Sequence, residues 1–206
     1  MEIILENIAK KYNAHWIFRN VNLKFSEGNI YAITGANGSG KSTFIAIISG
    51  FKLPSQGKLI FINNNQIISE ENQFKQVAIA APYLELIEEF TLNELLDFHF
   101  KFVPMIEKES KKSLINYIWL EKSADQPIKF FSSGMKQRLK LGLALFTNKP
   151  ILLFDEPTVN LDAEGCQWYQ KAIKEKLRGR LLVISSNVAE EYSITQNIIS
   201  ISEFNN

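Results

Sequence analysis

Short apolar runs separated by turn residues organise the first third of the chain. Residues 2–8 alternate in part and residues 21–25 alternate cleanly, so both predict strands, the second half-exposed. Residues 29–34 read as a short buried strand. Residues 44–49 resume the apolar pattern beyond a glycine-rich stretch and predict a helix that stops at Gly50. Strands are predicted again at 58–62, after a turn at 54–57, and at 76–81, where Pro82 ends the run. Tyr12, Trp16 and Phe18 fall between the first two strands, on a loop or an edge.

From Thr91 the period becomes helical, with Leu92, Leu95, Leu96 and His99 on one face. A second helix is predicted over about 107–120, with Leu114, Ile115 and Ile118 inward. Helices with no strand between them describe a helical subdomain, about 82–148, inserted between sheet-forming parts at about 1–81 and 149–206. Its last helix carries Leu139, Leu141, Leu143, Ala144 and Leu145, with Ser132 or Ser133 as the cap. Residues 151–154 are a fully apolar strand ending in Asp155 and Glu156. A helix at 162–177 and strands at 180–185 and 196–202 complete the pattern, and Asn63, Asn64 and Asn65 read as a turn.

Composition adds little to this picture. The 206 residues are 46% hydrophobic and 22% charged, an ordinary globular balance. A net charge of +1 gives no case for nucleic acid as a partner. The single cysteine, Cys166, excludes an internal disulfide framework and reads as a small packed residue. No apolar run reaches the ~18 residues of a membrane span, so a cytoplasmic chain is expected, with any membrane link made through a partner.

The candidate chemistry sits between the strand at 29–34 and the following helix. Gly35, Ala36, Asn37, Gly38, Ser39, Gly40, Lys41 and Ser42 fit the phosphate-loop pattern G-x-x-x-x-G-K-[ST], and Thr43 follows. Glycines let successive backbone N–H groups point at phosphate oxygens, and the helix start adds its positive dipole end. Lys41 is expected to reach the β- and γ-phosphates and Ser42 to ligate Mg²⁺. A buried strand ending in Asp155 and Glu156 brings two acids to the carboxyl edge of a parallel sheet, where such folds bind ligands. On an extended chain the two point to opposite sides. Asp155 then suits Mg²⁺ through a water, and Glu156 the water that attacks the γ-phosphate. Tyr12 is a candidate to stack on a nucleotide base, with simple sheet packing as the alternative.

These motifs, in this order, resemble the nucleotide-binding subunit of an ATP-binding-cassette transporter over essentially the whole chain. Ser132, Ser133 and Gly134 stand one helix ahead of Asp155-Glu156-Pro157, where that family carries its signature, usually Leu-Ser-Gly-Gly-Gln. Residues 158–162, ending in Asp162, resemble the loop that crosses the family's dimer interface. The resemblance implies an α/β fold: a P-loop NTPase core with a mixed sheet, an antiparallel β-subdomain and an inserted helical subdomain. It further implies ATP and Mg²⁺ as cofactors, Mg-dependent ATP hydrolysis, and a head-to-tail pair, most simply of identical subunits. Each ATP would lie between one phosphate loop and the other subunit's signature helix. Transmembrane permease subunits would hold the pair at the inner face of the membrane, and residues 83–90 with the following helix would form the groove that receives them.

The chain departs from the family pattern at three points. Phe131, Ser133 and Met135 replace the usual Leu, Gly and Gln of the signature. Pro82 or Tyr83 stands where a glutamine is usual, which bears on coupling to the membrane subunit. Ser186 or Asn187 replaces a histidine, and the two histidines present, His15 and His99, lie elsewhere. Slower hydrolysis is expected. Rival readings are a soluble cassette ATPase, such as one serving iron–sulfur cluster assembly, and a nucleotide-gated binding module that hardly turns over.

Overall fold

The computed structural model describes residues 1–205. Its strands are β1 (Glu2–Tyr12), β2 (His15–Ser26), β3 (Ile30–Thr34), β4 (Gln56–Asn63), β5 (Gln66–Ile68), β6 (Val77–Ala80), β7 (Ile151–Asp155), β8 (Leu181–Ser185) and β9 (Asn197–Ser200). Its helices are α1 (Lys41–Ile48), a single turn α2 (Glu70–Gln73), α3 (Leu92–Phe102), α4 (Lys111–Tyr117), α5 (Ser133–Phe146) and α6 (Ala163–Lys176). Two compact units divide the chain. The first comprises Met1–Ile79, Lys149–Glu156 and Leu177–Asn206, and the second Ala80–Asn148 and Pro157–Lys176. The second unit thus takes in α6 and the loop before it, beyond the expected range of 82–148.

The first unit holds two sheets. One is antiparallel, in the order β2-β1-β4-β5, and the other runs β6-β7-β8-β3-β9. The β3–β8, β3–β9 and β7–β8 pairings are parallel. Of the loop or edge expected for Tyr12, Trp16 and Phe18, the edge holds for Trp16 and Phe18 on edge strand β2, while Tyr12 ends β1 and faces His15 across a turn in which Asn13 takes a φ of 52°. Asn64 and Asn65, with φ of 48° and 62°, have the two positive angles of a two-residue hairpin turn and open the short β5, which the sequence pattern did not predict. Phe44 of α1 meets Phe18 and Phe25 of β2 edge-on at 5.8 and 6.3 Å, while α1 also packs on β7 and β8. Phe44 is fully buried, a burial worth about 2–3 kcal/mol. The helix carrying the glycine-rich loop is therefore anchored on both sheets.

The second unit is helical. Thr91 caps α3 through a capping box with Glu94, whose carboxyl is held below its usual range by the Thr91 backbone and hydroxyl hydrogen bonds. The second helix is shorter than the expected 107–120. A turn at Glu109, Lys108 at φ 67°, and a capping box between Ser110 and Ser113 delay its start to Lys111. It ends in a Schellman turn, with Leu120 N–H on Ile115 O at 3.1 Å and Trp119 in the left-handed region where glycine is usual. His99 packs along α3 as expected. Its Nε2 lies 3.2 Å from Thr147 Oγ1, and burial lowers its pKa. Trp168 Nε1 of α6 donates to Tyr117 O at 2.8 Å. Lys176 pairs with Glu109 at 2.8 Å and lies 4.3 Å from the centre of the Phe146 ring.

The contact between α4 and α5 depends on Gly142, where an added Cβ would come within 2.5 Å of Ile118 Cγ2. Gly142→Ala should lower stability by about 1–3 kcal/mol through overpacking. Chemical denaturation checks this, with an unchanged midpoint as the contrary result.

Candidate nucleotide-phosphate site

The glycine-rich loop leaves the carboxyl end of β3 and enters α1 at Lys41. Gly40 occupies the cap position at φ 105°, and an added Cβ would lie 2.4 Å from Ile17 Cγ2, so both conformation and space call for glycine. No side chain caps α1 and no acid sits in its first turn, which leaves the first N–H groups available to an anion. Lys41 is 5% exposed and donates from Nζ to the carbonyls of Gly35 at 2.9 Å and Ala36 at 3.2 Å. Its charge is thus folded back into the loop. Ser42 stands exposed beside it.

The parallel register sets Ile33, Ser185 and Asp155 in one row across β3, β8 and β7. With about 4.8 Å between neighbouring strands, Asp155 lies about 10 Å from β3, on the same edge as the loop. Near this sheet edge and loop, the buried oxygens Ser39 Oγ, Asp155 Oδ1 and Ser185 Oγ lack a hydrogen-bond partner. Leaving such atoms unpaired in the interior costs about 1–3 kcal/mol each, and a bound polar group would relieve it. Glu156 corrects the expectation of an extended Asp-Glu pair. Its φ of 46° turns the chain out of β7 at once, its N–H donates to Ser185 O at 2.8 Å, and its side chain is half-buried.

The Asp155 carboxylate with its orphaned Oδ1 and the exposed Ser42 hydroxyl are hard-oxygen donors of the kind that fit Mg²⁺. Among the described residues no group of three or more His, Cys, Asp or Glu could hold a metal alone, so phosphate oxygens and water would have to complete the coordination.

The choice left open after β8 resolves in the fold. Ser186 is fully buried, with its N–H on Ile33 O at 3.1 Å and its Oγ accepting from Val188 N at 2.8 Å. Asn187 is exposed and donates from Nδ2 to Asn37 Oδ1 in the loop at 3.0 Å. Asn187 is therefore the residue that faces the phosphate loop. Tyr12 is 42% exposed, and its hydroxyl accepts from Lys52 Nζ at 3.0 Å. That lysine first, then the Thr43 side chain, lowers its pKa. Lys10 and Lys52 lie 5.3 and 5.4 Å from the ring centre, so a stacking base would share the ring with two cations. The pairing of Tyr12 with lysines 2 and 40 positions away has no local sequence signal.

In the second unit Ser132, not Ser133, caps α5, accepting from Met135 N at 3.2 Å. Gly134 lies tight against the following loop, where an added Cβ would be 3.0 Å from Asn160 O. Asp162 caps α6, with Gly165 N–H on its Oδ1 at 2.8 Å. Lys140 of α5 donates to the carbonyls of Ala81 at 3.3 Å and Pro82 at 2.9 Å, at the turn where the usual glutamine is missing. Glu88 pairs with Lys136, so this acid is already engaged within the unit.

A glycine-rich loop between a parallel strand and a helix, with an acid ending the strand two places away, defines a P-loop nucleotide-binding protein. A family model described as ABC transporter matches residues 18–159. The ABC transporter ATP-binding protein YcbN of Bacillus subtilis strain 168 is 29% identical over 89% of this chain and 61% of its own length. The lantibiotic transport ATP-binding protein SrtF of Streptococcus pyogenes is 29% identical over 91% of this chain and 80% of that protein. The Fe(3+) ions import ATP-binding protein FbpC of Escherichia coli O157:H7 is 28% identical over 84% of this chain and 49% of that protein. The chain therefore spans between about half and four fifths of these relatives. Two solved structures share the fold. An ABC transporter ATP-binding protein from Pyrococcus furiosus superposes with a TM-score of 0.82 at 19% identity over 99% of both chains. A dimeric ATP-binding cassette with ADP and Pi gives 0.83 at 24% identity over 96% of this chain and 93% of that one. The chain belongs to the ABC transporter family, as a nucleotide-binding subunit.

Lys41→Ala should abolish ATP binding while the fold survives, because charge-assisted contacts to phosphate contribute about 1.5–3 kcal/mol each. Equilibrium titration with ATP checks this, and an unchanged affinity would count against the site.

Proposed function

We propose that this chain binds Mg-ATP in the loop of residues 35–43 and hydrolyses it as one half of a pair, driving a membrane transporter. The observation that carries the reading is the buried, unpartnered Asp155 Oδ1, in register with Ile33 near the end of the strand that leads into the loop, and next in sequence to Glu156. Backbone N–H groups of the loop and of the α1 start bind the phosphates, and Lys41 exchanges its two carbonyl contacts for phosphate oxygens. Ser42 and Asp155 would hold Mg²⁺, which when bound neutralises β- and γ-phosphate charge. Glu156 orients a water on the γ-phosphorus. As the water oxygen forms its bond, the bond to the ADP oxygen breaks and the water proton passes to the Glu156 carboxylate. Tyr12, next to Thr43, bounds the base side.

The second half of the site comes from a partner cassette, most simply another copy. Ser132 Oγ accepts from Met135 N, and its hydroxyl proton remains to donate to a γ-phosphate alongside the Gly134 N–H. Asp162 ends the loop that meets the partner. Binding closes such a pair and hydrolysis reopens it. A permease subunit would dock on the second unit, where Tyr83, Phe98 and Phe102 are exposed, and would carry the motion across the membrane. Relatives are named for lantibiotic transport and for Fe(3+) ion import, which supports a reading in which the membrane partner would choose the cargo.

Glu156→Gln should retain ATP binding and release phosphate at least 100-fold more slowly, consistent with loss of a general base. The variant should then accumulate as an ATP-bound dimer in size-exclusion chromatography with light scattering. A fully active Glu156→Gln protein would sink the mechanism. Asn187→His, which puts an imidazole against the loop, should raise turnover by about tenfold, or about 1.4 kcal/mol of transition-state stabilisation. Ser186→His should instead destabilise the fold, since position 186 is buried. Steady-state phosphate release and thermal melting of both variants separate these outcomes.

A further inference from the structure

We propose that Gln137 is a positioning residue for hydrolysis, tying the loop of residues 157–162 to α5 so that the signature residues and the dimer loop move as one piece. Gln137 is 3% exposed, and its Nε2 donates to Pro157 O at 2.8 Å. A proline carbonyl only accepts, so the amide nitrogen must face it. Both groups are buried, and the glutamine supplies the donor that the carbonyl has lost from water. The loop is held at two further places. Gly134 packs closely on Asn160 O, where an added Cβ would sit 3.0 Å away, and Asp162 Oδ1 takes the Gly165 N–H in the first turn of α6. Between these anchors Asn160 turns at φ 65°, and Leu161 N–H bonds Thr158 O.

Of the three anchors, only the Gln137 bond reaches the first residue of the loop, immediately after Glu156 in the chain. Gly134 and Ser132 lie three and five residues before Gln137, at the start of the same helix. A displacement of the signature end of α5 is therefore passed to the loop through one side chain, not through the backbone alone. The inference rests on the hydrolysis reading above for its functional consequence, although the tether itself is a property of this unit.

Two variants test it. Gln137→Met keeps the shape and removes the donor. Its kcat should fall about tenfold with the ATP dissociation constant unchanged, and hydrogen exchange in the peptide covering 157–162 should quicken about tenfold while α3 is unaffected. Gln137→Glu presents an ionised carboxylate to the carbonyl at pH 8 and a donor once protonated, and burial raises its pKa. Its kcat relative to wild type should therefore climb about tenfold between pH 8 and pH 6. Unchanged exchange at 157–162 in Gln137→Met overturns the tether whether or not the wild type turns over. Faster exchange with kcat within twofold of wild type, or a flat Gln137→Glu ratio across pH, overturns the positioning role. A wild type that binds ATP but releases no phosphate faults the hydrolysis reading instead, and the exchange result still decides the tether.

Discussion

The parallel register that sets Ile33, Ser185 and Asp155 side by side is the constraint on which the site depends. It brings the end of β7 to the same sheet edge as the glycine-rich loop, although the two are more than a hundred residues apart in the chain. It also buries a carboxylate oxygen and two hydroxyls without partners. A fold stabilised by a modest margin tolerates such atoms poorly unless a ligand satisfies them. Phe44 packs α1 on β2 while the helix also rests on β7 and β8, which anchors the loop at that edge.

The second unit is built on close backbone approach. Gly142 lets α4 reach α5, and Gly134 lets the loop before α6 reach the start of α5. Small residues bring the elements together, and buried polar contacts then fix their relative positions: Gln137 on Pro157, Trp168 on Tyr117, and Lys176 on Glu109. The ion pair is mostly buried and flanked by rings, which makes it a determinant of geometry more than of net stability. Lys140, bridging the carbonyls of Ala81 and Pro82, gives the turn that lacks its glutamine a link to the same helix.

Electrostatics separates the two sides of the nucleotide site. Lys41 is held on the loop's carbonyls, and Lys52 on Tyr12. Opposite stand Asp155 and Glu156, of which only the first is fully buried. Asn187, bonded to Asn37, connects the end of β8 to the loop without adding charge. On the proposed reading, Asn187 would then offer an amide rather than a charge to the γ-phosphate.

Local pattern was enough for most of the longer elements and for the motifs carried by contiguous residues. The alternation of β1 and β2, the apolar run of β7, the cap before α5 and the loop of residues 35–42 each report on neighbours within a few positions, which is the range over which helix and strand periodicity and capping act. The tertiary structure decided what depends on distant partners. It turned Glu156 out of the strand through its bond to Ser185, and it chose Asn187 over Ser186 by burying the latter, bonded to Ile33, and bonding the former to Asn37. It set Tyr12 beside Lys52, forty positions away, whereas the later start of the helix at 107–120 came from a local turn and capping box that periodicity does not report. It also gave Gln137, an ordinary polar position within the signature stretch, a buried acceptor twenty residues away. Periodicity reports which face of an element is apolar, but it does not specify which polar atom meets which across a packed interface, because that pairing follows from the register and close approach of elements far apart in the chain.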